Sequence, residues 1–413
     1  MSVMNRESSA EPGSFSPRSP SQLLSDSAQD FSLVTGGPVY QLLLRARLVR
    51  PPLDRVGWRV VIITAIAWVP LLLLTALSGH VTSGVRVPFL QDFAVQVRFL
   101  IALPLCIIAE VTIHSGIRKL VLQFVDRQII KPAALPLFED SIASAMRLRN
   151  SIVAEIGLLA VIIFAESSWA TRVLDIPSDT WYAATVGGNR TATLAGYWYL
   201  FVSLPIVQFI VLRWYFRLFI WARFLRKISK LDLNLIPIHP DGCCGLGFLG
   251  QYVFVLAPFV MAHSALLSGF IANRIVYQGI PLPDHGIEIS TVVIFLFLMA
   301  LGPLCVFTPR LIRQRQAGVF SYGALASEYV LGFDRKWIQG EQSPDEPLLG
   351  SSDIQSLADL ANSYAIVRRV VPFPFGREAL VSLVVMIALP LLPLLFTMFS
   401  LKELAERLLK ILL

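Results

Sequence analysis

The chain has 413 residues, of which 55% are hydrophobic and only 15% are charged, and its mean hydropathy is +0.65. Soluble domains of this size are far less apolar, so the composition excludes a soluble protein and indicates one embedded in a bilayer. The formal net charge of +7 does not point to nucleic acid, because the basic residues form short clusters beside apolar segments, a pattern that fits anionic lipid headgroups.

The N-terminal part of the chain is predicted to lie outside the membrane. Residues 1 to about 30 are rich in Ser, Pro and Gln and predict a disordered tail, because they cannot bury enough apolar surface to offset ordering. The stretch 39–49 mixes leucines with Arg45 and Arg47, which predicts a short helix in the membrane interface. Residues 1–57 therefore form a first unit, a tail followed by an interfacial helix.

Seven apolar segments are long enough to cross a bilayer, which needs about 20 apolar helical residues. The predicted spans are approximately 58–78, 97–117, 151–170, 195–217, 246–272, 290–308 and 380–400. They predict an all-α, polytopic bundle. Its six-span core covers residues 58–308, and residues 380–413 form the last span and an amphipathic C-terminal helix.

Basic residues alternate between the connections of this bundle. They are abundant before the first span and after the second, fourth and sixth, and scarce in the other connections. The positive-inside rule therefore predicts a cytoplasmic N-terminus. Two cytoplasmic connections are long enough to form helices: a hairpin at 115–150 and an insertion at 309–379.

Ionisable side chains inside the spans are the strongest functional signal, because each costs several kcal/mol in the membrane unless it is paired or hydrated. At 1.5 Å per residue, five of them fall in the cytoplasmic half of the bundle: Glu110, His114, Glu155, Arg213 and Arg217. We call this predicted group the polar vestibule and expect it to open to the cytoplasm. The alternative is that the arginines extend to the headgroups and the carboxylates only fix helix packing.

A second candidate site is the turn I-P-I-H-P-D-G-C-C-G-L-G-F-L-G at 236–250. Its Pro and Gly content excludes a regular helix or strand. Free backbone amides at the start of the following helix predict an anion-binding turn, formed by His239, Asp241, Gly242, Gly245 and Gly247. The alternative is a close-packed turn in which Asp241 caps the fifth span.

Metal and cofactor sites are not predicted. The spacing of the His, Cys, Asp and Glu residues matches no zinc signature, and Cys243 and Cys244 are adjacent. The G-x-G-x-x-G pattern at 245–250 precedes a membrane helix rather than completing a βαβ unit, so it does not indicate a dinucleotide.

The central turn, the segment E-P-L-L-G-S-S-D-I-Q-S-L-A-D-L and P-F-G-R-E-A-L before the last span resemble a group of bacterial polytopic membrane proteins of unknown activity. The resemblance implies a multi-pass protein of the bacterial inner membrane. It implies no substrate and no catalytic residue.

Three functions remain open from the sequence. The leading hypothesis is a non-enzymatic protein that binds or transports a small ion or solute through the polar vestibule, with Glu110, Glu155 and His114 exchanging protons. The second is a membrane-embedded enzyme acting on a lipid or polyprenyl phosphate, with His239 as acid or base, oriented by Asp241, and with Arg213 and Arg217 as an anion clamp. The third is a scaffold or sensor that recruits a partner through its cytoplasmic helices.

Overall fold

The apolar segments form helices in the computed structural model, which describes residues 30–46, 55–174, 180–186, 189–340 and 351–398. The expected all-α bundle is confirmed. The predicted tail and the C-terminal amphipathic helix lie outside the described residues. The helices are α1 (Pro38–Arg45), α2 (Val56–Leu77), α3 (Phe93–Asp126), α4 (Leu135–Arg149), α5 (Ile152–Leu174), α6 (Leu194–Ile228), α7 (Ala257–Gln278), α8 (Leu282–Leu301), α9 (Thr308–Phe333), α10 (Ser352–Arg369) and α11 (Arg377–Thr397).

Six helices of the described chain, α2, α3, α6, α7, α8 and α11, are long and apolar enough to cross a membrane. The count reaches seven if the bent pair Pro132–Arg149 and Ile152–Ala165, which meet at 43°, forms one span. The molecule is therefore a multi-pass membrane protein. The span predicted at 246–272 begins later, at Ala257, because residues 247–255 form a short 3-10 turn and one helical turn instead. The hairpin predicted from 115 begins only after Asp126, where α3 ends.

Hydrogen bonds between the connections show that α3 and α6 run in the same direction. The α2–α3 connection meets the α5–α6 connection, where Trp181 N donates to Val87 O at 3.3 Å. On the opposite side, Asn234 N donates to Ile129 O at 2.7 Å, which joins the connections after α3 and α6. We call the side with Ile129, which also carries the clustered basic residues, the basic side. A small antiparallel hairpin, β1 (Ala183–Val186) and β2 (Asn189–Ala192), lies on the other side.

Two spans contain a widened π-helical turn directly before a Leu-Pro pair. The wide turns are Arg98–Ala102 in α3 and Tyr199–Ser203 in α6, and Pro104 and Pro205 follow them. Proline has no N–H and its ring clashes with the carbonyl four residues earlier, so the preceding turn expands. The two wide turns touch each other, because Arg98 donates a hydrogen bond to the Tyr199 hydroxyl.

The main core lies toward the basic side and consists of aliphatic and aromatic side chains, largely from α3, α6 and the segment before α7. Residues Phe31–Val34 are buried in it, and the Phe31 ring lies 4.9 Å from that of Phe224. This part of the N-terminal region is thus a structural element of the core. We call residues 31–45, which include α1, the N-terminal segment.

Helices α9 and α10 pack against each other on the basic side. The Asp353 carboxylate accepts hydrogen bonds from Lys336 Nζ at 2.8 Å and Trp337 Nε1 at 3.0 Å. These bonds hold the end of α9 to the start of α10.

Candidate functional site

Two buried arginines share one carboxylate where α2, α3 and α6 approach each other. Arg217 Nη1 donates a hydrogen bond of 2.9 Å to Glu110 Oε1, and Arg59 Nη2 lies 2.6 Å from Glu110 Oε2. The side chains of Arg59, Glu110 and Arg217 are 3%, 13% and 4% exposed, so the ions make little contact with solvent. The Arg217 guanidinium also lies 4.7 Å from the centre of the Trp214 ring, a cation–π contact.

A second buried pair lies beside this group. Arg213 Nη2 is 3.8 Å from Glu155 Oε1, with both side chains about one-tenth exposed. The other oxygen of Glu155 accepts a hydrogen bond of 3.1 Å from the backbone N–H of Val39, in the N-terminal segment. Four of the five residues of the predicted polar vestibule therefore lie together, but as ion pairs whose carboxylate oxygens already have partners.

A cavity of about 230 Å³ adjoins these charges. Arg59, Glu110, Arg213 and Arg217 line one end, and most of the remaining wall is apolar. The cavity lies in a wedge-shaped gap between α2 and α6. Helix α2 packs against α3 and against the first turns of α6, at 194–203, and the gap lies beyond those turns. Val39 also lines it, so α1 stands between this wall and the basic side. The predicted opening toward that side is covered by the N-terminal segment.

Among the charged residues of this site, Arg59 is the one whose guanidinium has buried hydrogen-bond donors without an acceptor in the described chain. It is 2% exposed, and its buried Nε has no hydrogen-bond partner among the described residues. Its 2.6 Å contact with Glu110 is an ionic contact that is poorly aligned as a hydrogen bond. Within the described ranges, three arginines face two carboxylates here, which leaves one positive charge in excess beside the cavity. A buried cation with a free donor is costly unless an anion completes it.

His114 does not join this group. Its Nδ1 lies 2.7 Å from the hydroxyl of Ser32, and Arg149 Nη1 donates to the Ser32 carbonyl at 2.6 Å. Both residues therefore fasten the N-terminal segment rather than line the cavity. The i, i+4 spacing from Glu110 places His114 a turn further along α3, beyond the level of the ion pairs.

The central turn closes on its own carboxylate. Asp241 Oδ1 accepts hydrogen bonds from the amides of Cys243 at 2.8 Å and Gly245 at 3.1 Å, and Oδ2 accepts one from Gly247 at 2.8 Å. Burial opposes ionisation of Asp241, but these three amides and nearby His239 outweigh it and lower the pKa of the carboxyl. Gly242, with φ of +63°, lets the chain reverse inside the turn. The amides predicted for an external anion thus already bind Asp241, which favours the close-packed alternative.

His239 stands beside this carboxylate, with Nδ1 2.9 Å from Asp241 Oδ1. The same nitrogen is 3.2 Å from the Asp241 amide, which donates to it when Nδ1 carries no proton. Burial, and to a lesser degree the Asp241 charge, raise the pKa of the neighbouring Cys243 thiol to about 11 and that of Cys244 to about 12, which disfavours the thiolate form.

The turn and the cavity are separate. The turn packs against the segment before α11, where Val371 N donates to Gly242 O at 2.9 Å, and against α9, where Pro237 meets Gly318. Within the described ranges, no hydrogen bond or ion pair connects His239 or Asp241 with the arginines of the cavity. The same ranges contain no group of three or more His, Cys, Asp or Glu side chains placed to hold a metal ion.

Sequence reasoning misses two parts of this site. It leaves Arg59, at the start of the first predicted span, out of the polar vestibule, but α2 begins at Val56 and carries Arg59 inside. It also assigns the N-terminal segment to the surface, although the Phe31–Val34 run is apolar enough to signal burial. No family model, curated protein or solved structure matches the chain.

Proposed function

We propose that this multi-pass membrane protein binds a small anionic solute in the cavity beside Arg59. The observation that carries the proposal is the guanidinium of Arg59, a residue that lines the cavity and whose buried Nε has no partner in the described chain. A carboxylate or phosphate oxygen placed there would complete the guanidinium and balance the excess positive charge, as in other charge-assisted pairs.

The shape of the site favours an anion with a short apolar part. Ile63 and Ile66 of α2 and Ile206 and Phe209 of α6 form the wall opposite the charges. At about 230 Å³ the cavity is smaller than the pockets that hold drug-sized ligands. A medium-chain carboxylate has the matching arrangement, one charge at one end and an alkyl chain at the other.

The proposal includes an orientation and a location. The alternation of basic connections supports a cytoplasmic N-terminus and basic side. The resemblance of the central turn and of the segments around α10 and α11 to bacterial polytopic proteins supports the bacterial inner membrane. On this orientation, the cavity lies in the cytoplasmic half of the bundle, beneath the N-terminal segment.

Binding is tested by calorimetry on the purified full chain with octanoate, octyl phosphate and octanol as probes. Arg59→Met keeps much of the length of the side chain and leaves two arginines facing two carboxylates, so the variant is electrically balanced. We expect wild type to bind the two anions and Arg59→Met to bind them at least roughly tenfold more weakly, the effect of one charged hydrogen bond.

Arg55→Met is the matched control, because Arg55 lies one turn earlier and is exposed. It should bind as wild type does. Equal binding by Arg59→Met, or equal binding of octanol, would contradict the proposal. Uptake of labelled octanoate by proteoliposomes then tests whether binding leads to transport.

A further inference from the structure

A second cavity, of about 610 Å³, lies on the outer side of α6 where this helix and α8 reach the basic side. Its lining combines two kinds of side chain. Phe219 and Leu298 are apolar and lie within the spans, whereas Arg223, Arg226, Lys227 and Lys230 are basic and occupy the last two turns of α6 and the residues after them. We call this cavity the basic groove.

The helical period explains why the basic groove faces outward. Trp221, Phe224, Leu225 and Ile228 of the same turns are almost fully buried in the main core. The basic positions 223, 226, 227 and 230 follow the i, i+3, i+4, i+7 spacing of the opposite face. This face is distinct from the one that carries Arg213 and Arg217, so the groove is independent of the site proposed above.

Most of the charge in the basic groove lacks a counterion. Lys227 Nζ lies 3.6 Å from Asp140, and that carboxylate is shared with Arg147. Arg223, Arg226 and Lys230 are exposed, and across the described ranges no carboxylate lies within ion-pair distance of them. These three exposed positive charges are therefore free, within the described ranges, to pair with a diffusible anion or an anionic headgroup.

Along α6, an apolar residue is followed by basic residues, just as the acyl chain of a phospholipid is followed by its charged headgroup. Phe219 is 57% exposed and Leu298 is 67% exposed, which places apolar surface next to the acyl chains. Arg223 follows Phe219 by about 6 Å along the helix, and Lys230 by about 16 Å, at 1.5 Å per residue. An acyl chain beside Phe219 thus brings the phosphate of the same molecule to the basic residues.

We propose that the basic groove is a binding site for one anionic glycerophospholipid, with its phosphate between Arg223, Arg226 and Lys230 and an acyl chain against Phe219 and Leu298. A bound lipid of this kind would join α6 to α8 at the membrane boundary. Basic pockets between transmembrane helices are known to take such headgroups.

The test compares lipid retention by two variants of the full chain that lose the same charge. The groove variant is Arg223→Gln/Arg226→Gln/Lys230→Gln. The control is Lys119→Gln/Arg313→Gln/Arg335→Gln, whose three positions are exposed on the same side outside the groove. Native mass spectrometry after titration with phosphatidylglycerol or phosphatidylcholine measures the affinity of each.

We expect wild type and control to retain one phosphatidylglycerol in preference to phosphatidylcholine. The groove variant should bind it on the order of 100-fold more weakly, since each basic residue near an anionic lipid contributes about fivefold. The single variant Arg226→Gln, with a loss of about fivefold, keeps the test decisive if the triple variant misfolds.

Three outcomes would overturn the proposal. Equal losses in the groove and control variants would show diffuse attraction without a site. Equal retention of phosphatidylcholine would remove the role of charge. Competition by inorganic phosphate at the concentration of the lipid would assign the groove to a free anion.

Discussion

The substitution Glu110→Gln would remove the charge that lies between Arg59 and Arg217. The introduced amide could keep its oxygen toward Arg217, but its NH2 group would then stand where Oε2 now lies, 2.6 Å from Arg59 Nη2. Donor would face donor, and three buried arginines would share one carboxylate. Because the arginine side chains are only 3% and 4% exposed, we expect a loss of about 3–5 kcal/mol in the free energy of unfolding, the usual result of breaking a buried pair.

The measurement is unfolding of the purified chain by SDS in mixed micelles, with Asp140→Asn as the control. Asp140 is 61% exposed and its two ion pairs are 3.6 Å long, so its loss should change stability by at most about 1 kcal/mol. Equal losses in the two variants would show that water hydrates the arginines and that the ion layer is not buried.

A triple variant separates stability from binding. Arg59→Met/Glu110→Leu/Arg217→Met replaces the whole group by apolar side chains and leaves Arg213 paired with Glu155 at 3.8 Å. Such replacements are often neutral or stabilising, so unfolding should return to within about 1 kcal/mol of wild type. The same variant should no longer bind octanoate. A variant that binds octanoate as wild type does would refute the role of the arginines.

Three further variants test the surrounding structure. Asp241→Asn should lower the free energy of unfolding by about 1–3 kcal/mol, because charged hydrogen bonds are lost. Folding lowers the pKa of the Asp241 carboxyl, so the stability advantage of wild type should be complete above the unfolded pKa of about 4 and should vanish as pH falls through the folded pKa. SDS unfolding at a series of pH values measures this dependence. Gly37→Ala places a side chain on a residue with φ of +86° and should destabilise the protein by about 1 kcal/mol or more. Its control, Gly57→Ala, adds a Cβ in open space and should leave stability unchanged. Equal melting temperatures of the two variants would contradict this. Gly116→Ala places a Cβ 2.3 Å from Val255 Cγ2 and should cost about 1–3 kcal/mol, with recovery in the Gly116→Ala/Val255→Ala double variant.

The depth of a residue can be predicted from the sequence, but its direction and its partners cannot. Glu110, Glu155, Arg213 and Arg217 lie at one level because helical rise is constant, so counting from the ends of the spans is sufficient. His114 departs from the predicted group because it lies one turn further along α3, where its ring contacts the hydroxyl of Ser32 in the N-terminal segment.

For the central turn, too, the sequence predicts the location but not the bonding partners. Proline and glycine predict that residues 236–250 are irregular, and Asp241 is a plausible helix cap. Which amides it binds depends on the backbone of three residues with positive φ, Gly242, Cys244 and Gly245. Cys244, at φ of +54°, adopts a left-handed conformation that cannot be predicted from its residue type. Local composition therefore predicts a turn, and only the folded chain shows what the turn binds.

The N-terminal segment has a consequence for the order of biosynthesis. Ser32 leaves the ribosome 82 residues before its partner His114 and 117 residues before Arg149, which corresponds to roughly 4–23 s at ordinary elongation rates. The part of the main core that surrounds Phe31 is complete only when Trp221 has also been translated and inserted. Residues made early thus reach their place only after more than half of the chain has been translated.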